Sequence, residues 1–129
     1  MSAIRLLLVD DEAALAELLK KYLVRLGYQV DACTTPEDAL ARAEALPQGY
    51  SLVLTDLTLP GMNGEELLER MRQDNPGLRG IIASGYPYQP RALWVTFLQK
   101  PFLPKMLAEA VEQALTDHRL KPVPPSCPT

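Results

Sequence analysis

"SLVLTDLTLPGMNGEELL" (51–68) sets the reading of the whole chain. Leu52, Val53 and Leu54 follow one another with no polar alternate, which is the pattern of a strand covered on both faces, as in parallel sheets. The run ends at Asp56, and "PGMNG" (60–64) supplies a proline and two glycines for a tight loop. "GEELLERMRQDN" (64–75) then repeats apolar residues at helical spacing until "NPG" stops it. A buried strand, a loop and a helix in that order predict one strand–helix unit of a parallel sheet.

The same unit recurs on both sides. Upstream, "IRLLLV" (4–9) reads as a strand, and Leu15, Leu18, Leu19, Tyr22, Leu23 and Leu26 stripe a helix up to Gly27. "YQVDAC" (28–33) is a second strand, and "TTPEDALARAEAL" (34–46) a second helix, started by a threonine cap and Pro36 in its first turn. Downstream, "LRGIIAS" (78–84) and "WVTFLQ" (94–99) are strands. Leu103, Met106, Leu107, Ala110, Val111, Ala114 and Leu115 mark a last helix. Between those strands, "GYPYQPRAL" (85–93) holds two prolines and leaves room for at most about one or two helical turns. Five strands alternating with five helical segments predict an α/β doubly wound domain, with right-handed crossovers laying helices on both faces of a five-stranded parallel sheet. Ligands in such sheets bind beyond the carboxyl ends of the strands, where the strand order reverses.

A chain of 129 residues, 47% hydrophobic, fits one domain, expected over residues 1–120, with the Pro-rich "KPVPPSCPT" (121–129) as a flexible tail. No apolar run approaches the ~18 residues that cross a bilayer, and "MSAIRLLLVDD" has neither a basic leader nor a small-residue cleavage site. The expectation is a cytoplasmic protein with no membrane contact, its Cys33 and Cys127 reduced. Thirteen basic and sixteen acidic residues give a net charge of -3, and no Lys/Arg cluster forms the footprint of a nucleic-acid binder.

Three acids gather at the predicted reversal: Asp10 and Asp11 after the first strand, Asp56 at the end of the third. Like charges held this close repel and raise one another's pKa unless a proton or cation neutralises them. Mg²⁺ suits such a cluster, since it takes oxygen ligands and keeps waters that phosphate oxygens replace. Each residue also has a plainer reading. "DDE" after a strand caps the next helix and feeds its dipole, and Asp56 before "PGMNG" serves a turn. Ser84 closes the fourth strand and Lys100-Pro101 follows the fifth, so a hydroxyl and an ammonium arrive at the same rim. Alone, these are a turn serine and a solvated lysine. Together with the acids they form a set fit for phosphoryl chemistry, with a nucleophile, positive charge and a hydrogen-bond donor. Lys100-Pro101 also invites a cis peptide bond.

Asp10-Asp11, Asp56, Ser84 and Lys100-Pro101, with "DLTLPGMNGEELL" between them, closely resemble the receiver domains of two-component response regulators from about Ile4 to about Asp117. The resemblance implies a flavodoxin-like sheet of order 2-1-3-4-5. It also implies that Asp56 accepts a phosphoryl group from the phosphohistidine of a sensor histidine kinase or a histidine phosphotransfer protein. On the same ground Asp11, Asp56 and the backbone carbonyl of Thr58 bind Mg²⁺ directly, and Asp10 acts through a metal-bound water. Lys100 pairs with the phosphoryl oxygens, or with Asp56 before transfer. Ser84 hydrogen-bonds a phosphoryl oxygen and draws its loop inward, and Phe97 matches the aromatic switch residue, though core packing explains a phenylalanine there equally well. Thr58 and Tyr86 flank the site and tune how long the acyl phosphate lasts. Such a domain is a phosphoacceptor rather than an enzyme, save for catalysing its own phosphorylation and dephosphorylation. Its output is expected through contact with a downstream protein or through phosphorelay, and "SGY" and "GMNGEEL" look most like receivers tied to hybrid kinases.

Two other functions compete. A small Mg²⁺-dependent aspartyl phosphatase would use Asp10 as nucleophile with Ser84 and Lys100, but leaves Asp56 without a task. A phosphate-independent interaction module has no use for a complete acidic set and Lys100. The chain also departs from the family: only fifteen residues (85–99) separate Ser84 from Lys100, so the fourth helix is expected to be shortened or lost and the usual dimer face altered. His118, Trp94 and Tyr88 are weaker candidates, for a relay site and for an aromatic patch.

Overall fold

The computed structural model describes residues 4–46 and 49–116. The elements run β1 (Arg5–Val9), α1 (Ala13–Arg25), β2 (Gln29–Cys33), α2 (Pro36–Ala45), β3 (Leu52–Asp56), β4 (Thr58–Leu59), β5 (Met62–Asn63), α3 (Gly64–Asp74), β6 (Arg79–Ser84), β7 (Val95–Gln99) and α4 (Pro104–Thr116). Five strands form one parallel sheet in the order β2-β1-β3-β6-β7, which is 2-1-3-4-5 when the sheet strands alone are counted. The sheet reverses at β1, whose neighbours are β2 on one side and β3 on the other.

Alternation within the strands divides the core in two, because successive side chains point to opposite faces. Leu6, Leu8, Leu54 and Ile81 pack with Leu19 and Leu23 of α1 and Leu107 and Val111 of α4. Leu7, Val9, Val53 and Ile82 pack with Ala39 of α2 and Leu67 and Leu68 of α3. Both faces are therefore dry, which is why β1 and β3 read as unbroken apolar runs.

Local chemistry fixes the helix starts. Thr35 Oγ1 accepts from the Asp38 N–H at 3.1 Å with Pro36 in the first turn of α2, as expected. Asn63 and Glu66 make a reciprocal capping box at α3, a signal that "NGEE" carries and that the reading of "PGMNG" as loop alone passes over. The loop itself is a small hairpin, with β4 and β5 antiparallel around Pro60-Gly61. Gly61 has φ +79°, and proline followed by a positive-φ glycine is the type II turn signature. Gly64 answers a different need: a Cβ there would lie 2.2 Å from the Asp56 carbonyl oxygen, so only glycine lets α3 start against the end of β3.

Of the two outcomes expected for the fourth helix, shortened or lost, the structure has the second: residues 85–94 contain no helix, and four helices rather than five helical segments are present among the described residues. Pro87 and Pro90 each lack an N–H and disfavour helical geometry in the residue before them, so the shortening runs to completion. The segment instead runs along the α2/α3 face of the sheet as a strap against α3. Tyr88, Ala92 and Trp94 pack on the α2/α3 core, so neither aromatic stands in a free patch. Phe97, paired with Ile82, is half-buried and belongs to neither apolar cluster. Cys33 is a buried free thiol of the α2/α3 core, and burial pushes it up to about 11. His118, Cys127 and the 121–129 tail lie outside the described residues. Among those described, no helix is long and apolar enough to cross a membrane.

Candidate functional site

Four strand ends build the site. Asp10 follows β1, Asp56 ends β3, Ser84 ends β6 and Lys100 follows β7, so the parallel sheet delivers all four to one edge beside the point of reversal. Asp10, Asp56 and Ser84 are buried, with Thr55 fully enclosed beneath them, while Asp11 faces solvent. One carboxylate oxygen from each of Asp10, Asp11 and Asp56 lies within 4.8 Å of the others.

Positive charge comes from the far end of the chain. Lys100 Nζ is 2.5 Å from Asp56 Oδ1 and 3.4 Å from Asp10 Oδ2. Its backbone is set by the Lys100 N–H donating to the Ser84 carbonyl at 2.8 Å, and the Lys100-Pro101 peptide is cis. Asp10 has a second task, since its Oδ1 accepts from the Glu12 N–H at 2.8 Å while Glu12, the residue at the α1 cap, offers no side-chain cap. That bond is an Asx-type turn ahead of the helix: no side chain caps α1 and no acid stands in its first turn, so "DDE" serves the cluster rather than the helix start.

The electrostatics follow from this crowding. Burial and the neighbouring Asp10 push Asp56 up to about 7, with Lys100 pulling against them. Burial works against the charge on Lys100, but Asp56 and Asp10 outweigh it and hold the ammonium above its ordinary range. Two acids sharing one ammonium are under-neutralised. The donor set is all carboxylate oxygen with one exposed member, which fits a hard divalent cation.

Ser84 Oγ accepts from the Tyr86 N–H at 3.0 Å, which orients the hydroxyl and leaves its own proton free to donate. Tyr86 itself is 80% exposed at the rim. Thr58, exposed at the start of β4, stands two residues beyond Asp56. Sequence reasoning missed two residues that shape the site. Gly64 seats α3 against the Asp56 carbonyl, and Glu65 is a carboxylate only 1% exposed in the next position, gripped by Tyr88 and Arg91 of the strap. "NGEE" carried the first as a helix-start signal. Nothing local marked which of its two glutamates would be buried.

The sequence model of the family described as "Response regulator receiver domain" matches residues 6–112. The chain belongs to that family. It is 36% identical over 118 residues to Regulatory protein VanRB of Enterococcus faecalis, a match covering 88% of this chain and 53% of that protein. Against Sensor kinase CckA of Brucella abortus the identity is 33% over 115 residues, covering 84% of this chain and 12% of the kinase. Among solved structures, the receiver domain of the hybrid histidine kinase CckA superposes with TM-score 0.77 at 35% identity, covering 87% of this chain and 99% of that domain. A CheY-like receiver domain protein of Methanospirillum hungatei gives TM-score 0.78 at 32% identity, covering 88% and 94%. The chain spans about half of VanRB and a far smaller share of CckA. Family membership selects the receiver reading over the phosphatase built on Asp10.

Proposed function

We propose that this chain is a phosphoacceptor in two-component signalling, with Asp56 receiving a phosphoryl group from a histidine kinase or a histidine phosphotransfer protein. The observation that carries the reading is a single pocket in which Asp10, Asp11 and Asp56 converge and Lys100 reaches Asp56. In the transfer, a bond forms from an Asp56 oxygen to phosphorus while the phosphorus–nitrogen bond of the donor breaks, its electron pair staying on the imidazole. Lys100 moves from Asp56 to the transferring group and stabilises its equatorial oxygens. Ser84, already held by the Tyr86 N–H, donates its hydroxyl proton to one of those oxygens. Asp11, Asp56 and the Thr58 carbonyl would hold Mg²⁺, with Asp10 acting through a water. When bound, the ion would supply positive charge beside the three carboxylates and favour the ionised form of Asp56.

The receiver unit is residues 1–120 with 121–129 as an extension, acting in the cytoplasm through a downstream protein rather than through nucleic acid or membrane. Phe97, half-buried at the sheet edge, serves as the aromatic that responds to Ser84. The experiment is incubation with a small phosphodonor and Mg²⁺, followed by mass spectrometry of the modified residue. Label on Asp56, lost in Asp56→Asn, is expected. Label that stays on Asp10 in that variant would return the phosphatase reading.

A further inference from the structure

Glu65 is the most enclosed ionisable group among the described residues, and the phosphoacceptor chemistry makes no use of it. It stands in the first turn of α3, where the helix dipole favours a carboxylate, but the dipole does not call for burial. Both oxygens are occupied by the strap. The Tyr88 hydroxyl donates to Oε1, the Arg91 N–H donates to Oε2 at 2.7 Å, and the Arg91 guanidinium reaches Oε1 at 3.2 Å. Arg91 also extends to Glu69 at 3.0 Å, and further along the strap Trp94 lies 4.4 Å beneath the Arg72 guanidinium. A segment with no helix of its own is thus fastened to α3 at successive points.

Each end of this fastening stands one or two residues along the chain from a residue that touches the phosphoryl site. On the α3 side, Glu65 follows Gly64, where an added Cβ would clash with the Asp56 carbonyl oxygen. On the strap side, Tyr88 is two residues beyond Tyr86, whose N–H orients the Ser84 hydroxyl. A ten-residue strap without internal helical hydrogen bonds would leave that turn free to wander, and a wandering donor is a poor one.

We propose that Glu65 is a positioning residue for Ser84: with Tyr88 and Arg91 it latches the 85–94 strap to α3 and so holds the Ser84 hydroxyl ready for a phosphoryl oxygen. The inference rests on the phosphoacceptor reading. In this chain the latch takes over the stiffening that a helix after β6 would give, and it ties the hydroxyl donor to the same helix start that seats Asp56.

The test uses the full chain with Mg²⁺ alone and with Mg²⁺ plus beryllofluoride, the tetrahedral mimic of a phosphoryl group. Affinities are measured for the native chain, for Tyr88→Phe with Arg91→Ala, for Ser84→Ala, and for the three changes combined. The latch variant is expected to bind beryllofluoride about five- to tenfold more weakly, the scale of one lost hydrogen bond, with Mg²⁺ affinity within about twofold. In the Ser84→Ala background the latch changes are expected to add less than about twofold, because their effect passes through that hydroxyl. Full additivity, or an unaltered beryllofluoride affinity in the latch variant, would overturn the proposal. Tyr88→Phe alone, which keeps the ring, gives the same readout if the double change unfolds. Native protein that binds Mg²⁺ but not beryllofluoride would remove the phosphoacceptor reading and the latch with it.

Discussion

Lys100 Nζ sits 2.5 Å from Asp56 Oδ1 although the two residues leave the sheet from β7 and β3, with β6 between them. The ammonium reaches across that intervening strand and lies over the Asp10–Asp56 pair as a built-in counter-ion. It neutralises one charge where two are buried and a third is near. The shortfall is one that a divalent cation would fill.

Mg²⁺ should therefore stabilise the fold. A site saturated a hundredfold over its dissociation constant adds about 2.7 kcal/mol. Thermal melts with and without Mg²⁺ are expected to separate for the native chain, and Asp11→Ala is expected to lose most of the gain. Identical melts of both proteins in either condition would reject the metal assignment.

Removing the ammonium should expose the repulsion it masks. Lys100→Ala is expected to cost about 1–2 kcal/mol at pH 8 without metal, less than a fully buried pair because the lysine keeps some solvent contact. Mg²⁺ should restore most of that loss, while the phosphorylated variant fails to engage its partner. Urea titrations check the first part, and partner binding after phosphodonor treatment checks the second. A normal partner response would refute the role of Lys100.

Gly64→Ala pushes a methyl to 2.2 Å from the Asp56 carbonyl oxygen, and backbone cannot step aside as a flexible side chain can. A loss of about 2–3 kcal/mol in urea unfolding is expected, with weakened Mg²⁺ binding as α3 shifts. Gly77→Ala, where no atom lies within 4 Å of the added Cβ, should stay within about 0.5 kcal/mol of the native chain.

Glu65 should make the fold sensitive to acid. Burial raises the Glu65 pKa, but the Tyr88 hydroxyl and Arg91 outweigh it and hold the group below its ordinary value. With the folded pKa depressed, the unfolded chain binds the proton first. The stabilisation is thus complete above the ordinary glutamate range near 4.3 and drains away as pH falls through the folded value. Chemical denaturation between pH 7 and 3 should show Glu65→Gln to be less stable at neutral pH, with the gap to the native chain narrowing below about pH 4. A gap that stayed constant across that range would disprove this.

The alternation of apolar runs with helical stripes determined the layered parallel fold, because a strand dry on both faces admits few other architectures. Asp10, Asp56, Ser84 and Lys100 were legible as a group for the same reason: each ends a strand, and a parallel sheet sends all such ends to one edge. Pro87 and Pro90 likewise announced a failing fourth helix, since a missing N–H is a local fact. Tertiary structure alone decided the rest. Which of two adjacent glutamates sinks beneath the strap, whether Phe97 is enclosed, and how near Lys100 comes to Asp56 all depend on contacts between segments far apart in the chain. Such contacts are set by how the layers pack, and no window of local sequence contains that information.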